Sequence, residues 1–247
     1  MSLGSVLASA REEDSQQYLT NHPGILLATL GRRVYSNCLI PRFRFGNEHV
    51  SDFVFIERGS ITAGSPWIFI YLVELEPPTA RPFTRSGAYA KRLNVAIRQV
   101  TDWMSWIRSN DSYFRASLSK AVRSDAAYHA PSFNLNELID YLSDPRTPKN
   151  TDSVLRRWAD QDQSTAFQTS TILINAKIII GRRFMFSPDD NRRRASLFYE
   201  SQQKIEIIPY DRLVDAETFL ENEASPQKWF EPHNDGLIYP GDDSGSK

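Results

Sequence analysis

The order of apolar runs and helical stripes in this chain predicts an α/β fold, a mixed sheet flanked by helices. Three stretches carry that prediction. Trp67 to Val73 is seven apolar or aromatic residues without a break, and Thr171 to Ile180 is a second strongly apolar run. Runs of this kind read as strands covered on both faces. Between them Leu93, Ile97, Val100, Met104 and Ile107 recur every three or four residues, the spacing of one helix face.

The other elements follow in chain order. Residues 9–21 are polar and helix-compatible, and Pro23 is expected to stop that helix. Asn37 to Phe45 alternates, with Leu39, Phe43 and Phe45 on one side and Arg42 and Arg44 on the other. Gly46-Asn47-Glu48 turns it into a second strand, Val50 to Ile56, and Gly59–Ser65 turns that strand into the run at Trp67. An antiparallel meander of three strands is the result. After Pro77-Pro78 a helix is expected over Gly87 to Arg108, with Gln99, Trp103 and Trp106 on the stripe beside its apolar face. Shorter helices are expected at 111–123 and 134–142, a loop at 144–153, and a polar helix at 188–203. Ile205 to Ile208 reads as a strand, and a last helix opens at Tyr210. In domain terms this is a single unit over 1–224, with a helical insertion at about 109–165 and an acidic, mobile tail over 225–247.

Bulk properties narrow the class. With 40% hydrophobic, 12% aromatic and 24% charged residues, the 247-residue chain is an ordinary globular protein. No apolar run reaches the ~18 residues that would span a bilayer. Met1 to Arg11 is too short and polar for the core of a secretion signal. Cys38 is the single cysteine, which excludes an intrachain disulfide and a thiolate-rich zinc site. A reducing, cytoplasmic location is the simplest expectation. The net charge of −1 hides an asymmetry: from Asp211 onward nine acids face three bases, a balance of −6, leaving +5 on residues 1–210.

The chemistry concentrates at one strand end. Side chains alternate along a strand, so Glu74 and Glu76 point the same way and are expected to leave the core together. A neighbouring strand could bring Asp52 beside them. Three carboxylates in one place repel one another unless a cation sits among them. Magnesium prefers oxygen ligands and keeps several waters. Held by Asp52 and Glu74, it would polarise a phosphoryl oxygen and lower the pKa of a bound water, which hydrolyses a phosphodiester. The plainer reading is solvated strand ends, or partners of Arg42, Arg44 or Arg81.

These motifs resemble a family. Asp52, a gap of roughly twenty residues, Glu74-Leu75-Glu76, and then a helix with Gln99 is similar to the PD-(D/E)xK nuclease core, an αβββαβ unit. More narrowly the chain resembles the Shedu anti-phage nucleases. Glu12 to Pro23, with Glu, Gln, Leu and then Asn-His-Pro, is similar to that family's opening helix. Val50-Ser51-Asp52-Phe53-Val54, Leu72-Val73-Glu74-Leu75-Glu76-Pro77-Pro78, Ala96 to Trp103, Ile178 to Arg182 and Ile205 to Leu213 resemble its later elements. The similarity spans about residues 12 to 215.

The resemblance implies Asp52 and Glu74 as metal ligands for Mg²⁺ or Mn²⁺, Glu12 as a third acid reaching toward the metal, and Gln99 as a residue that orients the site or contacts the substrate strand. It also implies DNA as substrate, and a homo-oligomer. Glu76 departs from the pattern, because the family usually has lysine there to position water and stabilise negative charge. A glutamate could instead ligate metal or act as a general base. Lys91 is a substitute to weigh against a solvated helix residue.

Other residues carry weaker signals. Arg182, Arg183, Arg192 and Arg193, with Arg194, are the best candidates for phosphate contact, against the ordinary reading of a solvated face. His22, His49, His129 and His233 are scattered without ligand spacing. Trp103 and Trp106 fit a core or a subunit interface, with base stacking as the alternative.

Two functional expectations follow. The first is a Mg²⁺-dependent DNA endonuclease in bacterial anti-phage defence, without membrane association. The alternative is a catalytically impaired, nuclease-like nucleic-acid-binding or assembly module, because Glu76 replaces lysine. A regulator is sought in a partner protein, the 109–165 insertion or the acidic tail.

Overall fold

The structure is a computed structural model that describes residues 2–8, 11–30, 37–60, 66–130, 135–143, 171–186 and 205–222. Three helices open the chain: α1 (Leu3–Leu7), α2 (Glu12–Asn21) and α3 (Pro23–Leu30). The strands β1 (Asn37–Pro41), β2 (Arg44–Phe45), β3 (His49–Val50), β4 (Phe53–Ser60) and β5 (Pro66–Leu75) follow. Next come α4 (Lys91–Ser109), α5 (Asp111–Val122), β6 (Tyr128–His129) and α6 (Leu135–Ser143). The described part closes with β7 (Thr171–Ile179), β8 (Ile205–Ile208) and α7 (Asp211–Asn222).

Six strands form one mixed sheet in the order β6-β1-β4-β5-β7-β8. The β1, β4 and β5 strands make the expected antiparallel meander, and β7 and β8 add on parallel to β5. The apolar run therefore lies in the middle of the sheet, where both faces need cover. On one face Ile68, Ile70 and Leu72 pack with Leu93, Ala96, Val100 and Trp103 of α4. On the other, Tyr71, Val73 and Leu75 pack with Leu19, Leu26, Leu30 and Leu213, from α2, α3 and α7. Among the described residues no helix is long and apolar enough to cross a membrane.

Three boundaries differ from the sequence pattern. The helix expected to stop before Pro23 does end at Asn21, but Pro23 also opens a further helix, α3, whose buried Ile25, Leu26, Leu27 and Leu30 leave it almost no polar face. Proline suits a first helical position because that N–H has no helical partner anyway. The strand expected from Asn37 to Phe45 breaks at Arg42, which has a positive φ of 49°. The break sends Leu39 toward the α2–α3 layer and Phe43 and Phe45 toward α4, and it sets β2 and β3 apart as a separate two-stranded sheet. The long helix begins at Lys91 and not Gly87, whose φ of 78° belongs to the loop before it. The loop at 144–153, the helix at 188–203 and the tail from 225 lie outside the described residues.

Candidate functional site

The register of the meander decides what meets at the strand ends. Phe53 pairs with Val73, so one step further Asp52 stands opposite Glu74. Asp52 continues the Val54–Ile56 row and Glu74 the Ile68–Ile70–Leu72 row. The carboxyls of Asp52 and Glu74 lie close enough for each to influence the other's protonation. The backbone N–H of Leu75 donates to Asp52 Oδ2 at 2.7 Å. From the helical layer, Gln16 Nε2 donates to Asp52 Oδ1 at 2.6 Å. Arg42 Nη1 donates in turn to Gln16 Oε1 at 3.3 Å. Asp52 is thus held from two directions.

Glu74 and Glu76 do point the same way, but they do not leave the core: they are 7% and 4% exposed. The backbone N–H of Glu76 donates to Ile179 O at 2.8 Å, which extends the β5–β7 ladder past the strand end and keeps Glu76 covered. Its Oε2 is buried and makes no hydrogen bond. The nearest cation is Arg92, in the first turn of α4, with Nη1 3.8 Å from that oxygen.

The protonation pattern follows from burial and from like charge. Glu74 holds its proton far above the carboxylate range, first through burial and then through Asp52, Glu76 and Glu12. Glu76 is pushed up to about 7 by burial and then by Glu12, with Arg92 pulling it down. Glu12 is raised by burial and then by Asp52. Asp52 is raised by burial, against the pull of the Leu75 N–H and Arg42. The four acids therefore form one electrostatic unit drawn from α2, the residue before β4 and the C-terminal end of β5. Tyr210 adjoins it: its hydroxyl is buried, makes no aligned hydrogen bond, and is raised well above the phenol range by burial, Asp52 and Glu12.

Of the residues singled out in the sequence, Glu12, Asp52, Glu74 and Glu76 come together. Gln99 does not join them through any hydrogen bond; it lies half-buried, two turns beyond Arg92 on α4. Lys91 is exposed beside Arg92. Arg182 pairs with Asp211, and Arg183 with Asp215. Arg192, Arg193 and Arg194 lie outside the described residues. Trp103 is a core residue, stacked on Phe45 at 5.5 Å. Trp106 packs against the Gly46 turn. His129 bonds to Val122 O at 2.8 Å, away from the acids.

Three members of the site had no assigned role in the sequence: Gln16, Arg92 and Tyr210. Gln16 had a usable signal, since it follows Glu12 by four residues and shares its helix face. Arg92 and Tyr210 arrive by tertiary packing alone.

Comparison with known families decides the lineage. The model of the Shedu protein SduA C-terminal region matches residues 9–214, most of the chain and all four acids. The chain belongs to the Shedu family. Membership implies a part in anti-phage defence. No curated protein matches the chain. On the Shedu match, the acid cluster and its holding groups all fall inside the family region, while the residues beyond Leu213 and Val214, most of α7 included, fall outside it.

Proposed function

We propose that this Shedu protein is a divalent-metal-dependent endonuclease that hydrolyses phosphodiester bonds of DNA, built on a PD-(D/E)xK-type core. The observation that supports this most is the convergence of Glu12, Asp52, Glu74 and Glu76 at the end of a central strand. An apolar core does not gather four carboxyls cheaply, and such clusters are concentrated at functional sites.

The donor set fits a hard cation. It offers carboxylate oxygens only, the ligand type of magnesium or manganese, and one of its oxygens, Glu76 Oε2, is buried without a donor. A buried orphan oxygen is one that an ion or ordered water would satisfy. Among the described residues no trio of His, Cys, Asp or Glu stands in ligand geometry. Asp52 and Glu74 would hold the ion, with Glu12 as the third acid. Such an ion supplies a polarised phosphoryl oxygen and a more acidic water.

The chain's own residues set the rest. Gln16 and the Leu75 N–H fix the orientation of Asp52. Glu76 accepts a proton from water in place of the lysine that orients it in relatives of this core. Arg92 brings the positive charge that the strand itself lacks, close enough to stabilise a developing anion.

The test is plasmid cleavage in Mg²⁺ and Mn²⁺ by wild type, Glu74→Ala, Arg92→Ala and Glu76→Lys. Cutting by wild type and none by Glu74→Ala is the expected result. A second reading rests on the Glu76 substitution: a nuclease-like module that binds nucleic acid without cutting it. That reading predicts salt-sensitive binding with no product in either metal, and cutting only by Glu76→Lys.

A further inference from the structure

Two segments meet beside the acids. The loop between β5 and α4 folds back on itself, with Ala90 N–H donating to Pro82 O at 2.9 Å and Phe83 bridging Tyr89. The turn after β7 packs on this loop. Gly181 N–H reaches Pro77 O at 3.4 Å, a Cβ on Gly181 would stand 2.6 Å from Ala80 O, and the Phe83 and Phe186 rings are 6.1 Å apart. Both segments leave the C-terminal ends of the adjacent parallel strands β5 and β7, beside Glu76, whose N–H donates to Ile179 O.

The β5–α4 side of the surface they make carries one sign, while in the facing turn Arg182 and Arg183 are paired with Asp211 and Asp215. From Pro77 to Thr101 there are five bases (Arg81, Arg85, Lys91, Arg92 and Arg98) and no acid. All five are exposed, and only Arg92 has an ion-pair partner among the described residues. In the facing turn Phe184 is 78% exposed, the most exposed large hydrophobic side chain described. Its neighbours Met185 and Phe186 are anchored against Gly181 and Phe83, so Phe184 is displayed by a fixed turn. A held aromatic on a turn packed against a loop whose arginines have no ion-pair partner among the described residues matches the pairing used for single strands: cations track the backbone and a ring stacks on a base.

We propose that this rim is a single-strand binding platform, with Arg81 and Arg85 on phosphates and Phe184 stacked on an exposed base. The proposal rests on the nucleic-acid reading above and narrows its substrate to DNA with an unpaired segment next to the acids. A duplex hides its base faces and offers Phe184 nothing to stack on.

The test uses the full chain in EDTA, with fluorescence anisotropy of an oligothymidylate of about 16 nucleotides and of a duplex of the same length. Phe184→Ala is expected to weaken single-strand binding about 5- to 50-fold, to spare duplex binding, and to leave the salt slope unchanged. Phe184→Trp restores the affinity. Arg81→Ala and Arg85→Ala each reduce the slope of log K against log salt by about 0.7. The proposal is overturned if Phe184→Ala binds the single strand as wild type does. It is also overturned if both substrates weaken equally, or if the substitution instead abolishes self-association and leaves affinity intact. Wild type binding neither substrate would sink this proposal together with the DNA reading. Wild type binding the strand as expected but never cutting in Mn²⁺ would sink only the nuclease reading.

Discussion

Burial and three neighbouring acids both strengthen the grip of Glu74 on its proton, so the metal-free fold carries a cost that grows with pH. The sign follows from linkage. A carboxyl whose folded pKa lies above its unfolded value contributes stability that is fully present below the unfolded value. That contribution is lost as pH rises through the folded one. For Glu76 that window runs from the ordinary 4.5 to about 7, and for Glu74 it extends higher. In EDTA the melting temperature should therefore fall between pH 5 and pH 8. Glu74→Gln should raise stability at pH 8 by roughly 1–3 kcal/mol, with the gain shrinking toward pH 5. Mn²⁺ should stabilise wild type, in proportion to RT ln(1 + [L]/Kd), and leave Glu74→Gln unmoved. A scan of thermal melts over pH and metal checks all three. A flat pH profile, or equal metal shifts in both proteins, would refute the coupled-acid account.

At the level of elements, two short connections carry much of the site's precision. The turn that ends β7 has Gly181 at a φ of 63°, with Ala80 O only 2.6 Å from where a Cβ would be. Backbone cannot move aside as a side chain can. Gly181→Ala should therefore cost on the order of 2–4 kcal/mol, combining a left-handed residue with a clash; urea unfolding measures it. A loss under about 0.5 kcal/mol would mean that the loop yields. These connections also mark where the sequence stops being legible. The runs at Trp67–Val73 and Thr171–Ile180 are readable because a strand covered on both faces has no polar positions to spare. The long helix is readable for the opposite reason, a clear stripe. Arg42 carries no such mark: nothing in an alternating segment announces a left-handed arginine, and so the switch of Phe43 and Phe45 to the other face was hidden. Pro23 was ambiguous, since proline both ends and begins helices. Within the site, Asp52 and Glu74 could be paired from strand parity alone. Arg92 could not, because its contact with Glu76 depends on where α4 starts, and Gly87 and Lys91 are equally plausible starts by periodicity.

Across the whole molecule, the described ends of the chain close on each other. Glu217 of α7 is 6% exposed and accepts the Leu3 N–H with both carboxylate oxygens, at 2.8 and 2.9 Å. It also accepts the Tyr18 hydroxyl of α2. One buried carboxylate thus ties α1, α2 and α7 together, and α2 is the helix that delivers Glu12 and Gln16 to Asp52. Removing that carboxylate takes its acceptor from the buried Leu3 N–H, which costs about 1–3 kcal/mol, and removes the Glu217 contact of the Tyr18 hydroxyl. The effect should not stop at stability. If α2 is held in place partly from behind, Glu217→Ala should loosen Gln16 on Asp52 and weaken the Mn²⁺-induced rise in melting temperature, although no atom of Glu217 belongs to the acid cluster. Glu217→Gln keeps an acceptor for one donor and should fall between. Hydrogen exchange separates the two consequences: faster exchange in α1 and α2 with β4 and β5 protected is the expected pattern. Uniform loss of protection across the sheet would mean that Glu217 supports the fold as a whole and not the placement of α2.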